Sequence, residues 1–344
     1  HFYEIGSMDS YQRVKNEGHS YLQGGFECSV DMICAHMNET KNIKPLICSE
    51  YGSLNFVRDD RGYWMHIKNI NAFMLNFLDR PNDFSIAVPF MLSFMHWAPD
   101  SLETFIHQSP DGEFIKTKNT FILDMWSGFK GKRIPCRDTE HKVLSHAVID
   151  EDTIRLAVNN RSGRRILLEI DSILPRNKEI VSIRQRKAFF DKGETQFVNE
   201  SLLSLKNIEL GIDVTSIYEI KLNDRLNPKK LIDENLYYGL GTALNIDRDV
   251  EINIPVGQKK IDASILRIGL HKSGGIKENI LVELNGHVIE EKDLSFSKGT
   301  PNYMDYFEID VNPELIKDNN ILKVYAKEDG VTLTSARIKT FASK

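Results

Sequence analysis

Residues Lys44–Ser53 read KPLICSEYGS. Leu46, Ile47 and Cys48 form a short apolar run that predicts a buried strand, and Glu50 arrives just as the run stops. Tyr51 and Gly52 follow at once. A carboxylate in that position is either an ordinary solvated strand end or a group delivered to a site. The flanking sequence has to decide which.

Upstream, Phe26, Val30, Ile33, Cys34 and Met37 recur at helical spacing. Downstream, Ile67, Ile70, Met74, Phe77 and Leu78 mark a second helix, and Asp79–Asp83 is a turn rich in breakers. SIAVPFMLSF, Ser85–Phe94, is another continuous apolar run, of the kind expected of a parallel strand buried on both faces. Pro89 within it reads as a bulge, because proline removes a ladder donor. The opening HFYEIG looks like the end of a further strand. Strands about forty residues apart and alternating with helices have the rhythm of a (β/α)8 TIM barrel. Three strands cannot close a barrel, and an open parallel sheet this apolar exposes a hydrophobic edge. The expectation for 1–135 is therefore the C-terminal part of a barrel, strands six to eight. About five further units, roughly 200 residues, are expected upstream.

From about residue 140 the period changes to two. TIRLAVNN and RRILLEI flank Arg161–Gly163, which reads as a hairpin, and SIYEIKL, Ser216–Leu222, closes the block. NDRLNPKK resembles a linker. DVEINIPV, ASILRIGL, NILVELNGHVI, YFEIDV and the long segment from Asn320 to Phe341 then supply an antiparallel set. Asn285-Gly286 is a strong signal for a type I′ hairpin. The economical reading is an α/β region followed by two antiparallel β-sandwiches, 136–222 and 223–344.

Composition narrows the class. With 41% hydrophobic and 27% charged residues the 344-residue chain is an ordinary globular sequence. A net charge of -5 gives no basic footprint for nucleic acid. No apolar run reaches the length of a membrane span. The four cysteines, at 28, 34, 48 and 136, form no CxxC pair, so a zinc site is not expected.

In barrel enzymes the C-terminal ends of the strands carry the chemistry. Here those ends offer His1 and Tyr3, then Glu50, then His96 and Trp97, and the loop after the second strand adds Arg58 and Arg61. A carboxylate, a phenol, imidazoles and an indole at one mouth suit carbohydrate chemistry, with the indole as a flat platform for a sugar ring. The arginines could bind a sulfate ester, or could be solvated loop charges.

ICSEYG resembles the strand-seven nucleophile motif of clan A glycoside hydrolases, a Ser/Thr-Glu-Tyr/Phe-Gly core. HFY resembles strand six of that clan, and Trp97 its strand-eight tryptophan. ILDMWSGFKGKRI, followed by IRLAVNN and two sandwiches, is similar to the β-agarases and β-porphyranases of glycoside hydrolase family 86. That resemblance implies a retaining endo-glycosidase of algal galactan, agarose or porphyran, with Glu50 as nucleophile and Tyr3 orienting it. It implies His1, His96 and Trp97 as sugar contacts, no cofactor, and an extracellular or periplasmic setting. The polymer and the upstream part of the barrel are then the partners.

Retaining clan A enzymes carry a second glutamate, usually after asparagine. The two Asn-Glu pairs here, ending at Glu39 and Glu200, lie on an outer helix and in the sandwich region, so the acid/base residue is expected upstream. Two readings stay open beside this one. Another clan A glycosidase shares every barrel motif, and a non-catalytic carbohydrate-binding or surface protein with a degenerate barrel retains them too.

Overall fold

KPLICSEYGS lies in the middle of a three-stranded parallel sheet of order β1 (Phe2–Tyr3), β2 (Leu46–Gly52), β3 (Phe84–Pro89). The computed structural model describes residues 2–3, 24–53, 59–96, 101–140, 142–171, 178–226, 232–246, 250–257, 260–300 and 302–343. His1, Arg58 and Trp97 lie outside the described residues, and of Tyr3 only the backbone is described. Helices α1 (Gly25–Glu39), α2 (Asp60–Leu78) and α3 (Thr120–Trp126) accompany several antiparallel sheets. The chain is a mixed α/β protein, and the described residues form no closed barrel. None of its described helices is long and apolar enough to cross a membrane.

Contacts divide the chain into two units. One gathers β1 and Pro45–Asn227, the other Gln23–Lys44 and Pro228–Lys344. Helix α1 thus joins the C-terminal unit, where it packs on a five-stranded sheet, although its sequence position suggested the outside of a barrel.

In the first unit α2 is the centre. Its N-cap Asp59 accepts from the Arg61 amide, and the helix is buried on nearly every side from Gly62 to Asn76. One face meets the parallel sheet through Phe73 and Phe77, which take the Tyr51 ring edge-on at 5.8 and 4.8 Å. Phe77 also meets Phe84 at 4.9 Å, so β2, β3 and α2 share one aromatic wedge. The opposite face, through Trp64 and Lys68, meets antiparallel structure. The Lys68 ammonium is fully buried and pairs with Asp213 at 2.7 Å.

That antiparallel structure is a six-stranded sheet of order 194–202, 180–191, 215–222, 153–160, 143–150, 132–134. Among the described residues of 136–222 the second layer is a two-stranded sheet, 166–168 with 208–210, and not a full sandwich partner. Arg161–Gly163 is therefore no hairpin. Asn160, fully buried, donates to the carbonyls of Arg164 at 2.7 Å, Leu210 at 3.1 Å and Gly211 at 2.9 Å. Those bonds turn the chain away after 153–160, and a buried amide left unpaired costs enough to dictate the route. The apolar run read as Ser85–Phe94 also ends early, at Pro89, which is the last residue of β3 and lies opposite Tyr51.

The second unit is a two-sheet sandwich. Its core draws Ile252 and Leu322 from one sheet and Leu266, Phe307 and Ile338 from the other. Asn285 and Gly286, both at positive φ, join 280–284 to 287–292 as the hairpin signal predicts. Helix α1 covers the other face of the five-stranded sheet. There Arg267 and Arg337 stand side by side on neighbouring strands. Asp31 of α1 approaches Arg337 at 3.2 Å and Arg267 at 3.6 Å, and Glu308 takes Arg267 at 2.7 Å. Arg267 also lies 4.2 Å over the Tyr306 ring. Two like charges side by side are tolerable only because two carboxylates share them.

Helix α2 also carries His66, which is fully buried behind Gly52. Burial pushes its imidazole down to about 3, opposed by the Phe90 and Ser53 backbone.

Two stability experiments follow from this helix. Lys68→Ala leaves the Asp213 carboxylate buried without its cation, so a loss of about 3–5 kcal/mol is expected in urea unfolding. Arg165→Ala, at an exposed pair with Glu209, should cost under about 1 kcal/mol. Similar small losses at both positions would remove α2's buried pair from the account. Acid titration tests His66. Between pH 6.5 and about 3 the unfolded chain takes up a proton there that the native chain refuses. Stability therefore falls as pH falls through that window, by up to about 1.4 kcal/mol per pH unit from this group. His66→Phe should remove that share, so the parent-minus-variant stability curve should slope across the window. A flat difference curve would mean that His66 is not held neutral.

Candidate active site

The C-terminal ends of β1, β2 and β3 lie along one edge of the parallel sheet, and β1 registers Phe2 with Tyr51 and Tyr3 with Gly52. Between β2 and β3 the register slips. Cys48 lies opposite Ala87, but Tyr51 lies opposite Pro89, so β2 spends one more residue than β3 over this step. Cys48 and Tyr51 are three apart and in an even pleat would face opposite ways. Both are instead buried, at 1% and 3% exposure, and Tyr51 reaches α2. Ser49 and Glu50 occupy the bulge between them. Ser49, on the face of β2 opposite Cys48, is exposed, and Glu50 is half-buried. Bulges beside active sites re-aim side chains in this way.

The rest of that face is apolar and open. Ile47 is 65% exposed, Ile86 53% and Val88 45%. On the helix side, burial pushes the Tyr51 phenol up, with Cys48 adding to the shift. Tyr51 is thus a neutral packing group that fixes β2 behind Glu50. The Cys48 thiol donates to the Glu50 carbonyl at 3.2 Å, which pins the bulge from within. Gly52 closes the strand where a side chain would be crowded, because a Cβ there would lie 3.0 Å from the His66 ring and 3.2 Å from the Phe90 carbonyl.

The other expected residues are more dispersed. Arg61 sits in the first turn of α2, and its guanidinium returns to the capping carboxylate of Asp59, with Nε at 3.0 Å. That bond holds the Asp59 carboxyl below the usual range. His96 lies in an exposed turn beyond β3, with its ring edge-on to Phe94 at 5.0 Å. The backbone places Tyr3 next to Gly52, two residues past Glu50 in register. Trp64 is a core residue of the antiparallel layer. Trp126, at the end of α3, donates its indole N–H to Asn71 of α2 at 2.7 Å, so it joins the two helices.

Sequence reasoning missed His66 and the segment 103–105. Met91, just past β3, exchanges backbone bonds with Glu103 and Phe105, and Phe105 lies edge-on to His66 at 6.4 Å. The carboxylate of Glu103, 4% exposed, accepts from Ser101. A histidine within the apolar stretch Trp64–Ile67 was the one available signal. Nothing local in the sequence announces that 103–105 returns to the strand end.

No family model matches the chain. It is 22% identical over 322 residues to a funoran endo-beta-hydrolase of Wenyingzhuangia aestuarii, covering 87% of this chain and 44% of that one. It is 19% identical over 325 residues to beta-porphyranase A of Phocaeicola plebeius, covering 86% and 44%. The chain thus spans somewhat under half the length of these curated relatives. Among solved structures, BuGH86 in complex with neoagarooctaose superposes with a TM-score of 0.85 at 18% identity, over 96% of this chain and 57% of that one. BpGH86A, a beta-porphyranase of glycoside hydrolase family 86 from the human gut bacterium Bacteroides plebeius, gives 0.83 at 14% identity, over 94% and 61%. With its parallel strand ends, its antiparallel sheets and these likenesses, the chain is related to glycoside hydrolase family 86 over most of its length.

Proposed function

We propose that the chain is the C-terminal part of a retaining endo-glycoside hydrolase that cleaves β-1,4 linkages of an algal galactan, with Glu50 as nucleophile. The observation that supports this reading is the bulge in β2, which keeps Tyr51 in the core and leaves Glu50 half-buried at the strand end, and we assign its carboxylate to the open face of the parallel sheet. On this reading β1, β2 and β3 are the last three strands of a (β/α)8 barrel, and the open face of Ile47, Ile86 and Val88 is barrel interior. The greater length of the relatives supports a barrel shared with residues outside this sequence. Secretion to the periplasm or medium is part of the same proposal, since the polymer cannot enter a cell intact.

Retention needs a second carboxyl group about 5–5.5 Å from the nucleophile. Glu50 attacks the anomeric carbon, and the partner acid protonates the departing glycosidic oxygen. The same partner then takes a proton from water, which displaces the sugar from Glu50. Neither Glu39 on α1 nor Glu200 in 194–202 lies on the parallel sheet, so neither is offered as the partner. We assign that role to a strand-end glutamate upstream. His1, Tyr3, His96 and Trp97 are proposed as contacts to the bound sugars, and Arg58 and Arg61 as contacts to a sulfate ester.

The test uses the full-length protein. Glu50→Ala is expected to lose nearly all turnover while still binding oligosaccharide, and azide should restore cleavage with inverted stereochemistry. Glu39→Ala and Glu200→Ala serve as controls with near-parental rates. Near-normal kcat in Glu50→Ala would sink the assignment.

Porphyran is favoured over agarose because Arg58 and Arg61 lie in the segment after β2, and arginine grips an oxyanion in two-pronged fashion. Arg58→Ala and Arg61→Ala should each lower kcat/KM on native porphyran, by about 1–3 kcal/mol of transition-state binding, and spare desulfated polymer. Equal rates on both polymers, unchanged by either substitution, would favour agarose and return both arginines to the solvated loop.

A further inference from the structure

Away from the parallel sheet, the six-stranded sheet holds a second concave site. Arg184 and Arg186 are two apart on 180–191 and so share a face. The neighbouring strand 194–202 sets Asn199 opposite Arg186 and carries Phe197 two residues away. On the other side, 215–222 sets Glu219 opposite Arg184. With Asp124 and Ser127 of the α3 end, these side chains line a cavity of about 330 Å³, at the lower end of the range for ligand pockets and sized for one or two sugar rings.

Each wall has a distinct state. Arg186 is already committed: 8% exposed, it donates to the carbonyls of Asp124 at 3.0 Å and Ser127 at 2.6 Å and so closes the C-terminal end of α3. Glu219 is committed as well, because Arg155 on the next strand binds it at 3.2 Å. Phe197 is held flat by stacking on Phe121 at 5.4 Å. Arg184 and Asn199 are exposed, and among the described residues no side chain pairs with either guanidinium or amide. Burial lowers the basicity of Arg186, Glu219 offsets part of that, and Arg155 and Arg184 add to it. The pocket therefore combines an uncommitted guanidinium, an uncommitted amide and an aromatic ring held in place.

We propose that this pocket is a second saccharide site, which holds a sulfated sugar residue of the polymer apart from the parallel-sheet site. Arg184 grips the sulfate ester, Asn199 bonds a ring hydroxyl, and Phe197 receives the apolar face of the sugar. A nucleic acid offers phosphate and flat bases too, but the chain's net charge of -5 opposes a long polyanion of that density. A site of this kind raises the local concentration of polymer for the same chain through effective molarity. The inference rests on the galactan reading above for its choice of ligand.

Affinity electrophoresis of the full-length protein in gels containing native or desulfated porphyran tests it, with parental product release from native porphyran measured in parallel. Arg184→Ala and Asn199→Ala change exposed positions, and matched melting temperatures verify that each variant is folded. Arg184→Ala is expected to weaken retardation by native porphyran about fivefold or more and to leave retardation by desulfated polymer as it was. Asn199→Ala should weaken both. Parental retardation of Arg184→Ala on native porphyran, or an equal loss on both polymers, overturns the sulfate site. If the parent releases no oligosaccharide but Arg184→Ala still shows the selective loss, the glycosidase reading falls and this site stands.

Discussion

Burying α2 between two sheets puts a premium on partners inside the protein for the charged and polar groups it carries, and the first unit is organised around that demand. Lys68 reaches the carboxylate of Asp213, and Asn71 receives the Trp126 indole. Asp60, in the first turn, accepts from Thr195 and pairs with Lys118 at 2.7 Å. Asp213 and Thr195 come from the antiparallel layer and Lys118 and Trp126 from the α3 segment, so the helix fixes the position of all of them at once. An isolated barrel helix exposes one polar face. This one cannot, and its Lys68 marks where the antiparallel layer must stand, as its Asn71 does for α3.

The same helix sets the site through its other face. Phe73 and Phe77 clamp the Tyr51 ring, and Phe84 backs Phe77. Because Tyr51 is fixed inward and Cys48 is fixed inward three residues earlier, the strand must absorb one extra residue between them. That residue pair is Ser49 and Glu50. On the proposed reading the carboxylate is positioned by this packing, and a substitution in the aromatic wedge would disturb it without touching it. A catalytic carboxylate must be held within a fraction of an ångström, which a solvated strand end cannot do.

Much of this was legible in the chain, for reasons that differ by residue. The strand at Leu46 and the helix through Ile67 and Phe77 announce themselves because their apolar periods are long and uninterrupted. Asn285-Gly286 is legible because positive φ at two successive positions selects those residues. Arg161–Gly163 misleads because its turn residues are real, while the pairing is decided by a buried amide, Asn160, fifty residues from its acceptors at 210 and 211. Likewise α1 has the spacing of an amphipathic helix, and nothing in that spacing says which sheet it covers. Asp31 carries the answer, yet a buried aspartate reads as a surface residue until Arg267 and Arg337 are seen facing it. The bulge at Ser49–Glu50 is invisible for the same reason: it arises from a difference in length between two strands, not from either strand alone.

Charge pairing also decides which arginines can meet a ligand, and here counting them misleads. Arg267 and Arg337 are held by Asp31 and Glu308 in the second unit, and removing either acid leaves buried like charges facing each other. Arg61 spends its guanidinium on Asp59, so a sulfate arriving there must compete with a carboxylate already in place. Arg186 spends its own on the closing carbonyls of α3. In a chain with a net charge of -5, an anionic sugar gains little from the overall field. It gains from a guanidinium whose hydrogen-bonding edge is still open, beside a surface shaped for the ring. That criterion separates Arg184 from every paired arginine around it, and it makes the state of each cation, not its presence, the basis for reading specificity.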